Sequence, residues 1–544
     1  MKRRDFLYSV TAVTVIAATS RLAAQTLRHN PFSLGVASGS PATDGMVLWT
    51  RLMAAPGGEP MPPVAIEVRW ELALDAQFSK LVQTGTALAY PDFAHSVHVE
   101  VKGLAAPPVD ASPPLYWYRF IVGDAVSARG RTRTLPAASS REKLTLALAS
   151  CQNYEHGYFT SYRHMAREAR GAGESLGPSS PNASSATSAA VKDAASLDCV
   201  LFVGDYIYEY GITPNRTRQH NSPTVRTLDE YRARYALYKS DADLKAAHAA
   251  LPWIVTWDDH EVENDYADDR AASGRGEEFL QKRAAAYRAY WEHMPLRNAQ
   301  LPVGPNARMY RRYAWGHTAS LHVLDARQHR DHQICTPPEQ GGSRTVSDKN
   351  CPERLATPST LLGAAQEAWL AQGMLQSKAG FEIVGQQSIM AQMRMPATRA
   401  PDASATAFWN DSWDGYPQAR QRALDVWAHK KNVISLGGDV HASYVSNLVS
   451  NFDDPKSSIL ATEIVGTSIS SPSWPQAVAD RIVGLNPHTQ FGKSDQRGYV
   501  VLEVDGPRAT AHLRVIDDAR TPNSTLSTAA SFVIEAGYPG ARRA

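Results

Sequence analysis

The sequence has few cysteines, no excess of charge of one sign, and only a short apolar segment at its N-terminus. Four cysteines among 544 residues are too few for a scaffold held together mainly by disulfides. The 56 Lys and Arg residues nearly balance the 54 Asp and Glu residues, so charge predicts no binding to nucleic acid or to a membrane surface. The apolar segment, Val10–Ala18, is far shorter than the roughly 20 residues that span a bilayer, and we expect no stable membrane insertion.

The first residues are typical of an export signal. Two arginines in MKRRDFL precede the apolar segment, and Ala23 and Ala24 offer small side chains for cleavage. These features predict a signal peptide over residues 1–25, with a membrane anchor as the alternative. The RRDFL core resembles a twin-arginine signal, which exports folded proteins. The twin-arginine export machinery is therefore an expected partner, and the expected location is periplasmic or secreted.

The chain is longer than the roughly 250–300 residues at which a single core stops growing, so two domains are expected. Residues 30–138 alternate apolar and polar positions between turns, which predicts an N-terminal all-β, immunoglobulin-like sandwich with a packing or spacer role. Residues 141–525 alternate strands with helices, which predicts an α/β domain of two sheets between helical layers. Within it, residues 171–196 are almost wholly Gly, Ser, Ala, Pro and Asn and predict a flexible surface insert.

The four cysteines have different expected roles. Cys335 and Cys351 bracket a loop rich in Pro, Gly and Ser, and we expect an oxidising compartment to join them. Cys199 lies in an apolar run and is expected in the core. Cys151 follows the strand LTLALA at its carboxyl end, where a buried structural thiol and a metal ligand are both open.

Three apolar segments end in residues of the types that commonly bind metals in proteins. They read CVLFVGDYIYE (199–209), LPWIVTWDDHE (251–261) and NVISLGGDVHAS (432–443). Each apolar run predicts a buried strand, and open α/β sheets bind ligands outside the carboxyl ends of their strands. We therefore expect these carboxylates and imidazoles to meet at one sheet edge and form a multinuclear metal site.

The donor set indicates which metals fit. Its members are Asp205, Tyr208, Asp259, Asp439 and His441. Ca²⁺ prefers carboxylate oxygens, whereas a zinc site would have more His or Cys. A Cys151 thiolate beside a phenolate favours a transition metal, so the expected site is mixed, with an iron-like ion and calcium.

Seven blocks, in order along the chain, resemble the PhoD-like alkaline phosphatases, a branch of the calcineurin-like metallophosphoesterases. The blocks are FSLGVASGSPATDGMVLWTRL, ALASCQ, GDYIYE, WDDHEVEND, LDARQHR, WNDSWDGYP and GGDVHAS. The resemblance implies a four-layer αββα metallophosphoesterase sandwich after the N-terminal β-sandwich. It also implies two Ca²⁺ ions and one Fe³⁺ ion, with Asp205 bridging metals and with Tyr208 and Cys151 binding the Fe³⁺.

The same resemblance implies roles for further residues. Asp259 takes the place of an Asn of the wider superfamily, while Asp439 and His441 take the places of two histidines. His260 matches the histidine that faces the leaving group, and a structural role is its alternative. Asn264 is placed near the metals.

The metal cluster and the resemblance predict an exported metal-dependent phosphatase that acts on phosphomonoesters and phosphodiesters by attack of a metal-bound hydroxide or oxide. His260 would protonate the departing alkoxide. Arg327 either clamps two phosphate oxygens or pairs with Asp325 or Asp331.

Two alternatives remain at this point. One is a phosphodiesterase specialised for phospholipids or teichoic acids, and the other is a calcium-stabilised, non-catalytic binding or adhesion module. Trp409, Trp413 and Tyr416 either line the substrate cleft or belong to the core. We expect a monomer that takes a phosphate-ester substrate.

Overall fold

The computed structural model describes residues 29–109, 111–169, 196–337, 339–356, 358–396 and 406–544. The predicted signal peptide (1–25) lies outside the described residues, as does the predicted flexible insert (171–196) except for its last residue. Within the described ranges, none of the helices combines the length and the apolar character needed to cross a membrane.

The larger of two main sheets has ten strands in the order β27-β26-β25-β24-β9-β10-β11-β1-β2-β5. Its strands are β1 (Val36–Ala42), β2 (Gly45–Arg51), β5 (Ser96–Val101), β9 (Leu144–Ala149), β10 (Cys199–Phe202), β11 (Pro252–Val255), β24 (Arg497–Asp505), β25 (Arg508–Ile516), β26 (Leu526–Glu535) and β27 (Tyr538–Arg543). β9, β10 and β11 run parallel at its centre, with antiparallel β24 on one side and parallel β1 on the other. β9, β10 and β11 are the strands after which the sequence places Cys151, Asp205 and Asp259.

The second main sheet has seven strands in the order β14-β15-β17-β20-β22-β21-β23. They are β14 (Arg311–Trp315), β15 (Ala319–Val323), β17 (Phe381–Gly385), β20 (Val433–Gly437), β21 (Ser443–Val449), β22 (Ile459–Val465) and β23 (Thr489–Lys493). β15, β17, β20 and β22 run parallel to one another. Their carboxyl ends therefore share one edge.

The two sheets pack face to face between helices. The helices are α1 (Thr160–Glu168), α2 (Leu228–Lys239), α3 (Ala242–Ala250), α4 (Gly276–His293), α5 (Glu353–Ala356), α6 (Ala364–Gln376), α7 (Pro417–Trp427) and α8 (Gln476–Leu485). Alternation sends Leu146 and Leu148 of β9 to the core between the sheets, where they join Ile383 and Ile434, while Ala147 faces the core beneath α1–α4. A separate core lies beneath α6 and α7 on the other side. The fold is the four-layer αββα sandwich that the sequence predicts.

The segment 228–250 forms two helices, although its helical spacing is continuous. α2 ends at Lys239, and Asp241 starts α3 because its side chain accepts the N–H groups of Asp243 and Leu244. Helical spacing continues across this junction, so periodicity alone does not reveal the new cap.

The N-terminal β-sandwich is present, but one of its layers belongs to the ten-stranded sheet. The other layer is a five-stranded sheet of β3 (Ile66–Ala73), β4 (Leu81–Ala89), β6 (Leu115–Val122), β7 (Ala125–Val126) and β8 (Gly130–Arg133). Val68 and Tyr118 of this sheet pack against Leu48 and Val99 of β2 and β5. Because β1 also pairs with β11, the second layer of this sandwich is not separate from the α/β part, which alternation within a strand cannot predict.

The α/β part also continues beyond its predicted end at residue 525. β26 and β27 extend the ten-stranded sheet to residue 543. Five short strands complete the described pairings, namely β12 (Arg270–Ala271), β13 (Gly274–Arg275), β16 (Thr345–Val346), β18 (Met395–Pro396) and β19 (Thr406–Trp409).

The predicted disulfide between Cys335 and Cys351 is formed, and Cys199 is buried in the core as expected. The crosslinked loop contains β16, which pairs with β19, and it carries Ser343, whose hydroxyl donates to Asp265 Oδ2 (2.5 Å). The disulfide thus closes a loop that reaches the acidic cluster described below.

Removing this crosslink should destabilise the protein. A link across 16 positions lowers the entropy of the unfolded chain by an amount worth about 3 kcal/mol. We expect the Cys335→Ser/Cys351→Ser variant to unfold at a lower temperature than the wild type in scanning calorimetry. A reductant should lower the wild-type midpoint towards that of the variant and leave the variant unchanged; equal midpoints for the two proteins without reductant would contradict this expectation.

Candidate metal centre

Loops after four strands carry the predicted metal ligands. Cys151 follows β9, Asp205 follows β10 and Asp259 follows β11, all in the ten-stranded sheet. Asp439 and His441 follow β20, which belongs to the seven-stranded sheet. The expectation of one sheet edge is therefore wrong in this respect, because the residues come from the carboxyl ends of both sheets.

The backbone is strained where several of these ligands lie. The φ angles are +60° at Cys151, +59° at Asp205, +67° at Asp439 and +56° at His441. Residues other than glycine seldom adopt this left-handed conformation, and it tends to occur at functional sites, where the surrounding structure holds it in place. Gly204 also has a positive φ (+112°), and a side chain there would collide with Asp258.

The first group of donors combines sulfur, carboxylate and imidazole. One donor atom each from Cys151, Asp205 and His441 lies within 4.8 Å of the others. The Tyr208 hydroxyl joins them by donating to Asp205 Oδ2 (2.9 Å), and it lies 3.2 Å from His441 Nε2. Ser471 donates its hydroxyl to the Tyr208 oxygen (2.9 Å). The structure therefore brings the predicted iron ligands Cys151 and Tyr208 together with Asp205, which was expected to bridge metals.

His441 has the protonation state of a metal ligand. Its Nδ1 lies 2.9 Å from the carbonyl of Pro472, so the proton on Nδ1 is used there and Nε2 is left with its lone pair. Burial lowers the pKa of His441 to about 3, which keeps the imidazole neutral. Burial and the Asp205 charge raise the pKa of the Cys151 thiol well above its ordinary value. A cation at this point would reverse that effect and favour the thiolate.

A second group surrounds His260. Donor atoms of Asp205, Asp259 and His260 lie within 4.8 Å of one another, and His260 Nδ1 is 2.7 Å from Glu209 Oε2. Burial alone would lower the pKa of His260, but the charges of Glu209, Asp259 and Asp205 raise it well above its usual range. The Tyr208 ring lies against the imidazole, with the ring centroids 4.0 Å apart. Glu209 thus holds an imidazolium beside the carboxylates.

Two carboxylate oxygens in the site are shielded from solvent and have no hydrogen-bond donor, namely Oδ1 of Asp205 and Oδ2 of Asp439. Burial, followed by the charges of neighbouring carboxylates, is the main reason that the pKa of each is raised. An unpartnered charged oxygen in this setting is costly unless a cation or a proton meets it. These residues therefore fit hard metal ions.

A third group extends the acidic cluster. Oxygens of Asp259, Asp265 and Asp411 lie within 4.8 Å of one another, and the Asp265 N–H donates to Asp259 Oδ2 (2.6 Å). Asn264 lies beside this group, where its backbone N–H donates to Glu209 Oε1 (2.9 Å). Burial, then the charges of Asp411 and Asp259, raises the pKa of Asp265 to about 7.

Arg327 lies among the carboxylates of the site. It is fully buried, and its guanidinium contacts Asp258, Asp411 (2.7 Å) and Asp259 (3.7 Å). Asp325 contacts the Arg327 backbone and not its guanidinium, because the Asp325 carboxylate accepts the Arg327 N–H (3.1 Å). The expected alternative of a salt bridge to an Asp is confirmed in kind, but the partners are 69 and 84 positions away in the sequence instead of being Asp325 or Asp331.

Several residues that belong to the site were not predicted from the sequence. Glu261 accepts the backbone N–H groups of Asp205 (3.1 Å), Tyr206 (2.6 Å) and Asp258 (2.8 Å), and so ties the β10 loop to the β11 loop. Asp411 accepts from Arg327, Arg330 and Gln333. Both lie in the quoted blocks WDDHEVEND and WNDSWDGYP, so the density of acidic residues there was the available signal.

The aromatic residues of the block WNDSWDGYP lie mainly in the core. Trp413 and Tyr416 are buried beneath α6 and α7, and Trp409 is half-buried against a neighbouring cluster. Trp413 and Tyr416 are therefore core residues, which is the second of the two expected roles.

Comparison with known proteins shows which proteins the chain is similar to. The family model described as PhoD-like phosphatase matches residues 181–513, and the one described as PhoD-like phosphatase, N-terminal domain, matches residues 17–136. Alkaline phosphatase D of Bacillus subtilis (strain 168) is 43% identical over 537 residues, covering 96% of this chain and 84% of the relative. A solved structure of PhoD is 42% identical, covers 95% of this chain and 92% of its own, and has a TM-score of 0.82.

The fold and these matches define a phosphoric ester hydrolase. More narrowly, the chain belongs to the PhoD-like phosphatase family. The resemblance read from the seven sequence blocks is thereby confirmed.

Arg327 should be essential to the stability of this site. Replacing it with Met would leave Asp258 and Asp411 buried without their main cation, a change that typically costs about 3–5 kcal/mol. We expect Arg327→Met to lower the free energy of unfolding by this amount in urea denaturation. The matched control is Arg520→Met, since Arg520 is exposed and pairs only with neighbouring Asp518. Equal stability losses for the two variants would contradict the assigned role of Arg327.

Proposed function

We propose that this chain is an exported, metal-dependent phosphatase that hydrolyses phosphomonoesters and phosphodiesters at the centre described above. The observation that carries the proposal is the pair of shielded, unpartnered oxygens on Asp205 and Asp439, set beside a thiol, a phenol and an imidazole. Such a donor set has no evident use in packing and suits cations of two kinds.

We assign Fe³⁺ to Cys151, Tyr208, Asp205 and His441, and two Ca²⁺ ions to the carboxylates around Asp259 and Asp439. The proximity of sulfur, phenol and imidazole donors supports the first assignment, and the oxygen-rich remainder supports the second. When bound, the cations lower the pKa of a water molecule and offset negative charge on the phosphate oxygens.

The protein side chains have separate tasks in this proposal. His260 donates a proton to the departing alkoxide oxygen, a step typically worth about 10²–10⁴-fold in rate. Glu209 orients His260 through Nδ1 and keeps it protonated, leaving Nε2 to act as the donor. Glu261 and Arg327 act as positioning residues, because they hold the loops and carboxylates that carry the ligands.

Export forms part of the proposal. The RRDFL segment supports the twin-arginine machinery and a periplasmic or secreted location. The disulfide between Cys335 and Cys351 supports an oxidising compartment. Activity as a monomer remains our prediction.

The alternatives differ in standing. Membership of a phosphatase family argues against the non-catalytic binding module. A diesterase specialised for phospholipids or teichoic acids shares the same residues, and relative turnover of a phosphomonoester and a phosphodiester distinguishes it from the broader enzyme.

Chelation and substitution test the proposed centre. Purified protein should hydrolyse 4-nitrophenyl phosphate and bis(4-nitrophenyl) phosphate, and a chelator should abolish both activities. Asp205→Ala should lower kcat/KM for both substrates by about 10²–10³-fold, because it removes a preorganised charge at the site. Asp425→Ala, an exposed position on α7, is the control. Full activity of Asp205→Ala, or of chelated protein, would refute the assignment.

Iron should give the protein a visible colour. A tyrosinate bound to Fe³⁺ absorbs visible light, so we expect a broad absorption band that is absent from Tyr208→Phe. Tyr538→Phe, at an exposed tyrosine on β27, should keep the band. A colourless, iron-free wild-type protein with full activity would remove Cys151 and Tyr208 from the metal assignment.

A further inference from the structure

Tyr210 is an exposed aromatic residue immediately beside the proposed proton donor. Its side chain is 43% exposed, and its ring meets the His260 ring edge-on, with centroids 5.2 Å apart and planes inclined by 68°. A single exposed aromatic residue is ordinary on a protein surface. The position of Tyr210, two residues after Tyr208 and against the same imidazole, is what gives it interest.

The backbone around Tyr210 is held firmly although the side chain is open. Arg234 is fully buried and donates Nη1 to the carbonyls of Tyr208 and Tyr210 (2.7 Å to the latter). Its Nη2 donates to Ser222 Oγ (3.0 Å) and to the carbonyl of Pro223 (3.2 Å), which anchors the far end of the same loop. One buried cation therefore fixes both tyrosines relative to His260.

The next residues in the loop are also restrained. The Gly211 N–H donates to Thr224 Oγ1 (3.2 Å), and the Thr213 N–H donates to Glu155 Oε1 (2.9 Å). Between them Ile212 is 51% exposed. An aromatic and an aliphatic side chain thus lie open to solvent on a preorganised segment, which lowers the entropic cost of binding a ligand there.

Tyr208 and Tyr210 contact His260 from different surroundings. Tyr208 is buried and bonded to Asp205, on the side of the proposed metals. Tyr210 is open to solvent but still feels the centre, because burial and the charges of Glu209, Asp259 and Asp265 raise the pKa of its phenol. Tyr210 therefore lies between the acidic cluster and the solvent.

The proposed chemistry determines what must lie there. His260 gives its proton to the leaving oxygen, so the carbon group attached to that oxygen has to extend from His260 away from the buried centre. The side open to solvent carries Tyr210. Aromatic side chains bind planar and apolar groups by stacking and edge contacts.

We propose that Tyr210, with Ile212, binds the alcohol portion of the substrate and gives the site a preference for phosphate esters of aromatic or apolar alcohols over those of small alcohols. This inference rests on the proposed phosphatase function. Tyr210 is in this view a specificity-determining residue that takes no part in proton transfer.

The test compares two esters whose alcohols have similar basicity, 2-phenylethyl phosphate and ethyl phosphate. We expect wild-type protein to have the higher kcat/KM for 2-phenylethyl phosphate, through a lower KM. Tyr210→Ala should reduce the ratio of the two kcat/KM values by about tenfold, the range of one aromatic contact. The change should lie in KM, because the lost contact is equal in the ground state and the transition state.

Two further variants separate the possible causes. Tyr210→Phe should keep the wild-type ratio, because the ring rather than the hydroxyl makes the contact. Tyr538→Ala, at a tyrosine that is 67% exposed on the C-terminal strand β27, should also keep the ratio.

Inhibition by two phosphonates measures binding without turnover. We expect 2-phenylethyl phosphonate to bind the wild-type protein more tightly than ethyl phosphonate does. Tyr210→Ala should weaken the binding of 2-phenylethyl phosphonate and leave that of ethyl phosphonate unchanged.

The outcomes are distinct. An unchanged ratio in Tyr210→Ala, or equal loss for both esters, would overturn the assignment of Tyr210 and leave the phosphatase proposal standing. Failure of the wild-type protein to hydrolyse either ester under conditions where metals are bound would overturn the proposed function, and this inference with it.

Discussion

The structure depends on the crowding of carboxylates at the place where the carboxyl ends of two sheets meet. Asp205 and Asp259, from the loops after β10 and β11, lie close together there, with Asp265 and Asp411 beside Asp259. Burial, and then the charges of Asp258, Asp259 and Asp411, raise the pKa of Asp439, from the loop after β20. Among the described side chains, Arg327 pairs with Asp258 and Asp411, and His260 pairs with Glu209. Like charges held this close in a buried setting repel strongly unless cations lie among them. On the proposed assignment, metal binding and folding are coupled at this centre.

The scaffold resists this repulsion with hydrogen bonds. Glu261 accepts three backbone N–H groups from two loops, and Arg327 bridges the β11 loop to Asp411. The positive φ angles at Cys151 and Asp205 show that the backbone is locally strained where these two side chains enter the site. Such strain persists only where the surroundings are rigid, and the double layer of β-sheet beneath the site supplies that rigidity.

Local sequence pattern predicted much of this arrangement. The apolar run LTLALA predicted β9 with its observed bounds, Leu144–Ala149, and a polar residue after a strand pointed to Cys151, Asp205 and Asp259. These signals lie within a few positions of one another. The coarse fold followed from them because alternating strands and helices permit few layered arrangements.

Pairing between distant parts of the chain was beyond that reasoning. The sequence pattern did not assign β20 to a second sheet, or β1, β2 and β5 to the same sheet as β9, because an apolar strand does not name its neighbour. The salt-bridge partners of Arg327 were not predicted for the same reason, since Asp411 is 84 positions away. Glu261 was visible as an acidic residue, but its acceptance of backbone N–H groups arises only once β10 and β11 lie side by side.

The most direct measurement is X-ray diffraction from crystals of protein exported by its own signal, collected at energies just above and just below the iron absorption edge. The account predicts an anomalous peak that appears above the edge, within bonding distance of both Cys151 Sγ and the Tyr208 hydroxyl oxygen. It also predicts further density for cations among Asp205, Asp259 and Asp439. Active crystals without such a peak, or with Cys151 and Tyr208 turned away from any metal, would contradict it.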